Sequence, residues 1–417
     1  MSKNNENKLV PKFRFPEFEN YGEWKESSLN EVSPAIFDGT HQTPTYTENG
    51  IPFFSVENII SGSKNKFISR EDYLLATSKN KPAKGDIIIT RIGNIGTSKV
   101  IDWDYEFSIY VTLAIVKNSP LFNPYYLHGY FQSSRYQREI LSKSLLNAVP
   151  CKINMDELRK TKILLPPDKE KKEQQKIAAC LSSLDEVITA ENQKLEVLKD
   201  HKKGLLQNLL PQAGETVPKF RFKQFEDSGE WKETTLTQVA DYENGKAHEQ
   251  DIADDGEFIV VNSKFISQDG EVKKFTNTAF LPATKGDVLM VLSDIPNGKA
   301  IAKCFLVEED NRYTVNQRIC RITPRNLNSK ILYYLLNRNP YFLAFDDGVK
   351  QTNLRKEDVL NCPLLIPEDP KEQEKIADTL SSVDDLIKAQ IEKVEALQLH
   401  KKGLLQGLFP NVNEVTA

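Results

Sequence analysis

The 417-residue chain says much of what it says twice. Val10-Pro11-Lys12-Phe13-Arg14-Phe15 returns as Val217-Pro218-Lys219-Phe220-Arg221-Phe222, and Gly22-Glu23-Trp24-Lys25-Glu26 as Gly229-Glu230-Trp231-Lys232-Glu233, both at an offset of 207. Residues 177–211 return as 376–410 at an offset of 199, and each copy contains His-Lys-Lys-Gly-Leu-Leu-Gln. Between these echoes lie two long segments, 35–163 and 242–363, that barely match each other. Near-identical frames around divergent inserts suggest one scaffold presenting two different reading surfaces.

The repeated C-terminal segments carry the clearest periodicity. In the first, apolar residues fall at Ile177, Leu181, Leu184, Ile188, Leu195, Leu198, Leu205 and Leu209; in the second, at Ile376, Leu380, Val383, Ile387, Val394, Leu397, Leu404 and Leu408. Steps of four and three make a heptad seam, so each segment is expected to be a long helix, about 51 Å over 177–210 at 1.5 Å per residue. Polar residues interrupt the stripe at the same two places in each copy, Glu191 and Lys202, then Gln390 and Lys401. Such interruptions usually set register at some cost in stability. A narrow seam cannot be buried by one helix alone. The duplication therefore predicts that the two helices pair, and a pseudo-twofold demands an antiparallel pair. The expected layout is a first domain over 1–168, a first long helix over 169–212, a second domain over 213–368 and a second long helix over 369–411.

Bulk properties narrow the class. Hydrophobic content of 39% and charged content of 27% fit a globular protein, and no apolar run approaches the ~18 residues that span a bilayer. The start of the chain lacks an apolar signal segment, and five cysteines without a Cys-x-x-Cys pair fit free thiols, so a cytoplasmic location without membrane is expected. Net charge is −4, which argues against gripping DNA by charge alone. Segment 35–163 has 16 Lys+Arg against 12 Asp+Glu, and segment 242–363 has 16 against 17. If the chain touches nucleic acid, another subunit supplies much of the phosphate neutralisation.

The inserts read as α/β or α+β domains. Residues 51–56, 86–90, 257–261 and 287–291 have strand character, and 124–141 and 330–336 helical character. Catalytic motifs are missing. Asn123-Pro124-Tyr125 and Asn339-Pro340-Tyr341 fall one proline short of an adenine-methylation loop and are read as helix starts. Asp269-x-Glu271-x-Lys273 is read as a solvated turn, Gly93-x-x-Gly96 is no phosphate loop, and no metal site is expected.

What the inserts do carry is clusters of groups suited to base edges. In the first insert these are Thr40, His41, Gln42 and Thr43, then Arg91 and Asn94 after a buried strand, with Lys99 beyond; Arg91 and Asn94 are expected to be exposed. In the second they are Lys246, then Ser293, Asn297 and Lys299 at the corresponding strand end, then Asn316, Gln317, Arg318, Gln351 and Thr352. Arginine pairs with guanine and Asn or Gln with adenine in the major groove.

The layout resembles the specificity subunit of type I restriction-modification enzymes. The likeness covers nearly the whole chain. It rests on Pro-Lys-Phe-Arg-Phe…Gly-Glu-Trp at both repeat starts and on Lys84-Gly85-Asp86 with Lys285-Gly286-Asp287. It rests further on Glu173-Gln174-Gln175-Lys176-Ile177-Ala178 with Glu372-Gln373-Glu374-Lys375-Ile376-Ala377, and on Leu181-Ser182-Ser183 with Leu380-Ser381-Ser382. The resemblance implies an α+β fold of two α/β target recognition domains in pseudo-twofold tandem repeat, separated by two long helices forming an antiparallel coiled coil. It also implies that each domain reads one half of a split, asymmetric site in double-stranded DNA, with a spacer set by the coiled coil. The chain itself would be non-catalytic and hold no cofactor. Two modification (methyltransferase) subunits would bind it and carry S-adenosylmethionine for adenine methylation. Restriction (translocase/nuclease) subunits, where present, would use ATP and magnesium. The competing reading is an interaction scaffold displaying two protein-binding domains without DNA contact.

Overall fold

The computed structural model describes residues 9–212, 214–296 and 298–411. It divides into two units, one comprising residues 1–192 and 392–417, the other residues 193–391. Each unit therefore contains one insert domain and one half of each long helix. No described helix is long and apolar enough to cross a membrane.

In the first unit the duplicated frame closes on itself. Strand Lys25–Ser28 pairs antiparallel with Lys162–Leu165, so the start of the repeat meets the end of the insert. Lys232–Thr235 and Pro363–Ile366 do the same in the second unit. The repeated Arg-Phe and Glu-Gln motifs explain themselves here. Arg14 Nε and Nη2 donate to Glu173 Oε1 and Oε2, each at 2.8 Å, and Arg221 makes the same two bonds to Glu372. The neighbouring glutamines hold the domains. Gln174 Oε1 accepts from Asn123 N at 2.8 Å and Gln373 Oε1 from Asn328 N at 3.0 Å, in each case at the N-cap of a domain helix. A charged fork and an amide thus anchor the first turns of each long helix to its domain.

Both inserts fold alike although their sequences diverge. The first has a four-stranded antiparallel sheet, ordered Ile36–Asp38, Leu113–Val116, Ile87–Thr90 and Ser98–Val100. A second sheet combines Tyr46–Thr47, Phe67–Ile68, Ile51–Phe54 and Ser108–Ile109, the last two strands parallel. The second insert repeats this with Ala240–Asn244, Ile319–Pro324, Val288–Val291 and Cys304–Leu306. Its other sheet has five strands, in which Phe258–Val261 lies parallel to Tyr313–Val315. The sequence pattern of the central strands follows from burial on two faces. Ile87 and Ile89 enter one apolar cluster while Ile88 enters another; Val288 and Met290 likewise part from Leu289 and Val291. The preceding Lys-Gly-Asp supplies a buried carboxylate to each. Asp86 accepts from Ala83 N at 2.8 Å and Asn118 N at 2.9 Å, and Asp287 from Thr284 N at 2.7 Å and Thr323 Oγ1 at 2.6 Å.

The helical stretch 124–141 resolves into two helices, Pro124–Gln132 and Ser134–Ser142, because Ser133 is extended and its hydroxyl caps the second. Both Asn-Pro-Tyr motifs are helix starts. Asn123 and Asn339 cap with their side chains, and Pro124 and Pro340 open the helix.

The long helices run over Lys172–Leu209 and Pro370–Leu408, uninterrupted at Gly204 and Gly403. Of the seam, Ile177, Leu181, Leu195, Ile376, Leu380, Val383 and Val394 are buried, and Leu184, Ile188, Leu198, Ile387 and Leu397 half-buried. Within the first unit the helix halves pack antiparallel. Lys401 Nζ lies 2.6 Å from Asp185 Oδ1 and Lys393 Nζ 2.6 Å from Glu191 Oε1, one partner number rising as the other falls. The same cluster joins Ile177, Ala178 and Leu181 to Leu405, Leu408 and Phe409. In the second unit Lys202 Nζ lies 2.5 Å from Asp384 Oδ1, and Leu209 and Leu210 share a core with Ile376, Ala377 and Leu380.

A polar relay ties the first domain to these helices. Lys401 Nζ donates to Gln132 Oε1 at 2.7 Å, Gln132 Nε2 lies 2.8 Å from His128 Nε2, and His128 Nδ1 lies 2.9 Å from Ser98 Oγ. With its amide oxygen facing the lysine, Gln132 presents NH2 to His128, which must accept there as the neutral Nδ1–H tautomer. Burial, with Lys401 next in weight, pushes the His128 pKa down to about 4.

Candidate nucleic-acid interface

In the first domain the loop after strand Ile36–Asp38 is held by close backbone approach. Thr40 N donates to Ile109 O at 3.1 Å, and Val111 N donates to Thr40 O at 3.0 Å. A Cβ on Gly39 would stand 2.0 Å from Ile109 O, so only glycine lets the loop pass. Gly245 meets Asn316 O at the same 2.0 Å in the second domain, and Lys246 there bridges to Asn316 as Thr40 does to Tyr110. Asp38-Gly39-Thr40 and Asn244-Gly245-Lys246 are thus one structural device with different side chains.

This loop walls a cleft of about 690 Å³. Thr40, His41, Gln42 and Thr43 line it together with Thr77, Ser78, Lys79 and Asn80. His41, Gln42 and Thr43 are exposed and Thr40 half-buried. Asp38 Oδ2 sits 3.2 Å from His41 Nε2 and 3.0 Å from Arg91 Nη1, so one carboxylate joins two of the expected clusters.

Arg91 itself corrects the expectation of exposure. It is buried, with Nη1 donating to Val111 O at 2.9 Å as well as to Asp38. Burial lowers its pKa and the Asp38 charge opposes that, the arrangement of a structural cation. The backbone shows why. Arg91 N donates to Thr112 O and its carbonyl accepts from Ile153 N; Leu292, with Arg318 O and Leu354 N, occupies the same place in the second domain. A position that holds leucine in one repeat is an inward one. Lys99 is half-buried, its Nζ 5.6 Å from the Trp103 ring centroid. Asn94 is exposed.

In the second domain the expected residues converge more fully. Ser293–Asp294 pairs antiparallel with Thr352–Asn353, and Gln351 Nε2 donates to Ser293 Oγ at 2.7 Å. Ser293 and Thr352 are buried, because both lie in this pairing and Thr352 Oγ1 bonds to Asp346 Oδ1 at 3.1 Å. Gln317 N donates to Lys246 O at 3.1 Å, and the Gln317 amide donates to Glu249 Oε1 at 2.6 Å; a backbone hydrogen bond first, and this amide after it, lower the Glu249 pKa from its ordinary value. Arg318 is exposed at φ +67, and its carbonyl accepts from Leu292 N at 2.8 Å. Asn316 is half-buried; Lys246, Lys299 and Gln351 are exposed. Asn297 lies outside the described residues. The first domain therefore offers exposed amides and hydroxyls at Gln42, Thr43 and Asn94, and the second exposed amides and cations at Gln317, Gln351, Lys246, Lys299 and Arg318, the make-up of surfaces that read hydrogen-bonding edges.

Residues 21–200 and 228–396 match the family described as type I restriction modification DNA specificity domain. The chain belongs to that family. DNA target recognition is its role, and the scaffold reading is not favoured. Among relatives, the chain is 28% identical over 273 residues to the type I restriction enzyme MjaVIII specificity subunit of Methanocaldococcus jannaschii, covering 60% of this chain but only 61% of that protein's length. A candidate MjaX specificity subunit from the same organism is 25% identical over 418 residues, 93% of each. The crystal structure of a type I restriction-modification S subunit from M. genitalium superposes with a TM-score of 0.62 at 15% identity over 97% of this chain and 100% of that one, a likeness of fold. Thr77 to Asn80 were not singled out in the sequence, because only the fold brings them to the same cleft as Thr40 to Thr43.

Proposed function

We propose that this chain is the DNA-reading subunit of a type I restriction-modification assembly, that each insert domain reads one half of a bipartite, asymmetric site, and that the spacer is set by the paired long helices. The observation that carries the reading is the pair of equivalent, differently furnished loop clusters, at Thr40 to Thr43 and at Lys246 with Asn316 to Arg318, on domains of one fold. Identical scaffolds with unlike side chains are what a protein needs to read two unlike half-sites.

Two modification subunits carrying S-adenosylmethionine would perform adenine methylation. Restriction subunits with ATP and magnesium would add cleavage. The chain has a near-neutral charge balance in both inserts, so its grip on phosphates would depend on those partners. A cytoplasmic site of action, where genomic DNA is accessible, fits this role. The test is to co-express the chain with its modification partner in cells and sequence the methylated DNA. One split motif with a fixed unread spacer is expected; methylation without such a motif, or specific high-affinity DNA binding by the purified chain alone at physiological salt, contradicts the proposal.

A further inference from the structure

Two loop tips stand out among the apolar residues. Val149 is 100% exposed and Val349 is 76% exposed; Leu146, three residues before the first, is 56% exposed, and Ile295, directly after strand Ser293–Asp294, 70%. The tips are structural equivalents. In the first domain Leu145 and Lys152 exchange backbone bonds of 2.7 and 3.3 Å, Lys152 also bridges to Ile92, and Gly93 N donates to Cys151 O at 2.8 Å. In the second, the strand Thr352–Asn353 takes the place of Lys152 and pairs with Ser293–Asp294. Each tip is thus the end of a short ribbon that also carries base-reading candidates, Asn94 in one and Gln351 in the other. The second tip is held firmly, since Asp347 Oδ1 accepts from Val349 N and Lys350 N at 2.9 Å each.

An exposed valine at the same tip of two inserts that hardly match elsewhere is not explained by folding, since neither side chain packs in a core. Its neighbours differ completely, Leu146-Asn147-Ala148 against Asp346-Asp347-Gly348. A partner protein meeting both tips would require like surroundings; two different half-sites require unlike ones. The first tip has no acidic residue between Lys143 and Lys152, and in the second the Asp346 and Asp347 carboxylates are engaged by backbone N–H groups.

We propose that the two ribbon tips enter the major groove of their half-sites, with Val149 and Val349 packing on base edges, where the thymine methyl is the apolar feature. A two-stranded ribbon fits that groove, and small apolar groups read that methyl. The inference rests on the proposed DNA-reading role and adds a contact that hydrogen-bonding residues would not reveal.

The experiment uses the chain in complex with its modification partner, as wild type, Val149→Ser and Val349→Ser. Methylation preference is read by sequencing and partner retention by co-purification. Val149→Ser should relax discrimination about tenfold at one or two adjacent positions of one half-site, and Val349→Ser should do so in the other half-site only. The partner should remain bound and the melting temperature unchanged. Unaltered preferences in active complexes, or loss of the partner from either variant, overturns the proposal. If the wild-type complex methylates no split motif, the DNA-reading role fails and takes this inference with it; a normal wild-type motif with insensitive variants defeats the inference alone.

Discussion

Lys401 Nζ lies 2.6 Å from Asp185 Oδ1, and the pair has a repeat counterpart in Lys202 and Asp384 at 2.5 Å. Both lysines sit where the heptad stripe is broken. The break is therefore a register device, since sliding either helix half by one turn would part a lysine from its carboxylate. Lys401→Ala should lower the stability of the first unit by about 1–2 kcal/mol, because the lysine also donates to Gln132. The combined exchange Asp185→Lys with Lys401→Asp should recover part of that loss. Urea unfolding of the single and double variants measures both; equal loss in the double variant would mean the pair has no register role.

The Arg14–Glu173 fork is more demanding. Its side chains are 6% and 1% exposed, so removing either partner strands a buried charge. Glu173→Ala should destabilise by about 3–5 kcal/mol. Glu372→Ala, which orphans Arg221, should behave alike in the second unit. Thermal melts that shift by less than a degree would show the fork to be incidental.

His128 gives the first unit a pH dependence of known sign. Its pKa in the fold is pushed below 6.5 to about 4, so the fold prefers the neutral ring. The contribution is complete above pH 6.5 and is lost as pH falls from 6.5 towards 4, on the order of 3 kcal/mol in all. Burial sets the direction and the Lys401 cation adds to it; a protonated ring would also aim N–H at the Gln132 NH2. Unfolding measured from pH 7.5 to 4.5 should steepen below 6.5 in the wild type and be flatter in His128→Gln. Parallel curves would remove His128 from the account.

Gly39→Ala tests the loop passage. Its Cβ would meet Ile109 O at 2.0 Å, and a backbone oxygen cannot turn aside as a side chain can. The loop from Asp38 to Thr43 must move, so recognition of one half-site should weaken at least tenfold while the other is read normally. Gly245→Ala should spare the first and impair the second. Both changes can be followed by methylation sequencing of the assembled complex.

The helices, the duplicated frame and the central strands were legible because their signals are local and periodic. A stripe at steps of four and three, or Ile87-Ile88-Ile89 after Lys-Gly-Asp, leaves few alternatives. The inward turn of Arg91 was not legible. A polar residue between a strand and a glycine looks exposed until the fold brings Asp38, Val111 and Ile153 around it. The burial of Ser293 and Thr352 was equally hidden, since it comes from pairing far along the sequence, Ser293 with Asn353 and Asp294 with Thr352. Repetition offered one unused clue, in that Arg91 answers to Leu292 at an equal distance past the duplicated Lys-Gly-Asp.

The most direct measurement is an exchange of the first insert. Residues 35–163 are replaced by the corresponding insert of a family member with a different target, and the complex is assayed by sequencing of methylated DNA. The account predicts that one half-site changes to that of the donor, while the other half-site and the spacer length are kept. Alteration of both half-sites, or an unchanged motif, would contradict it.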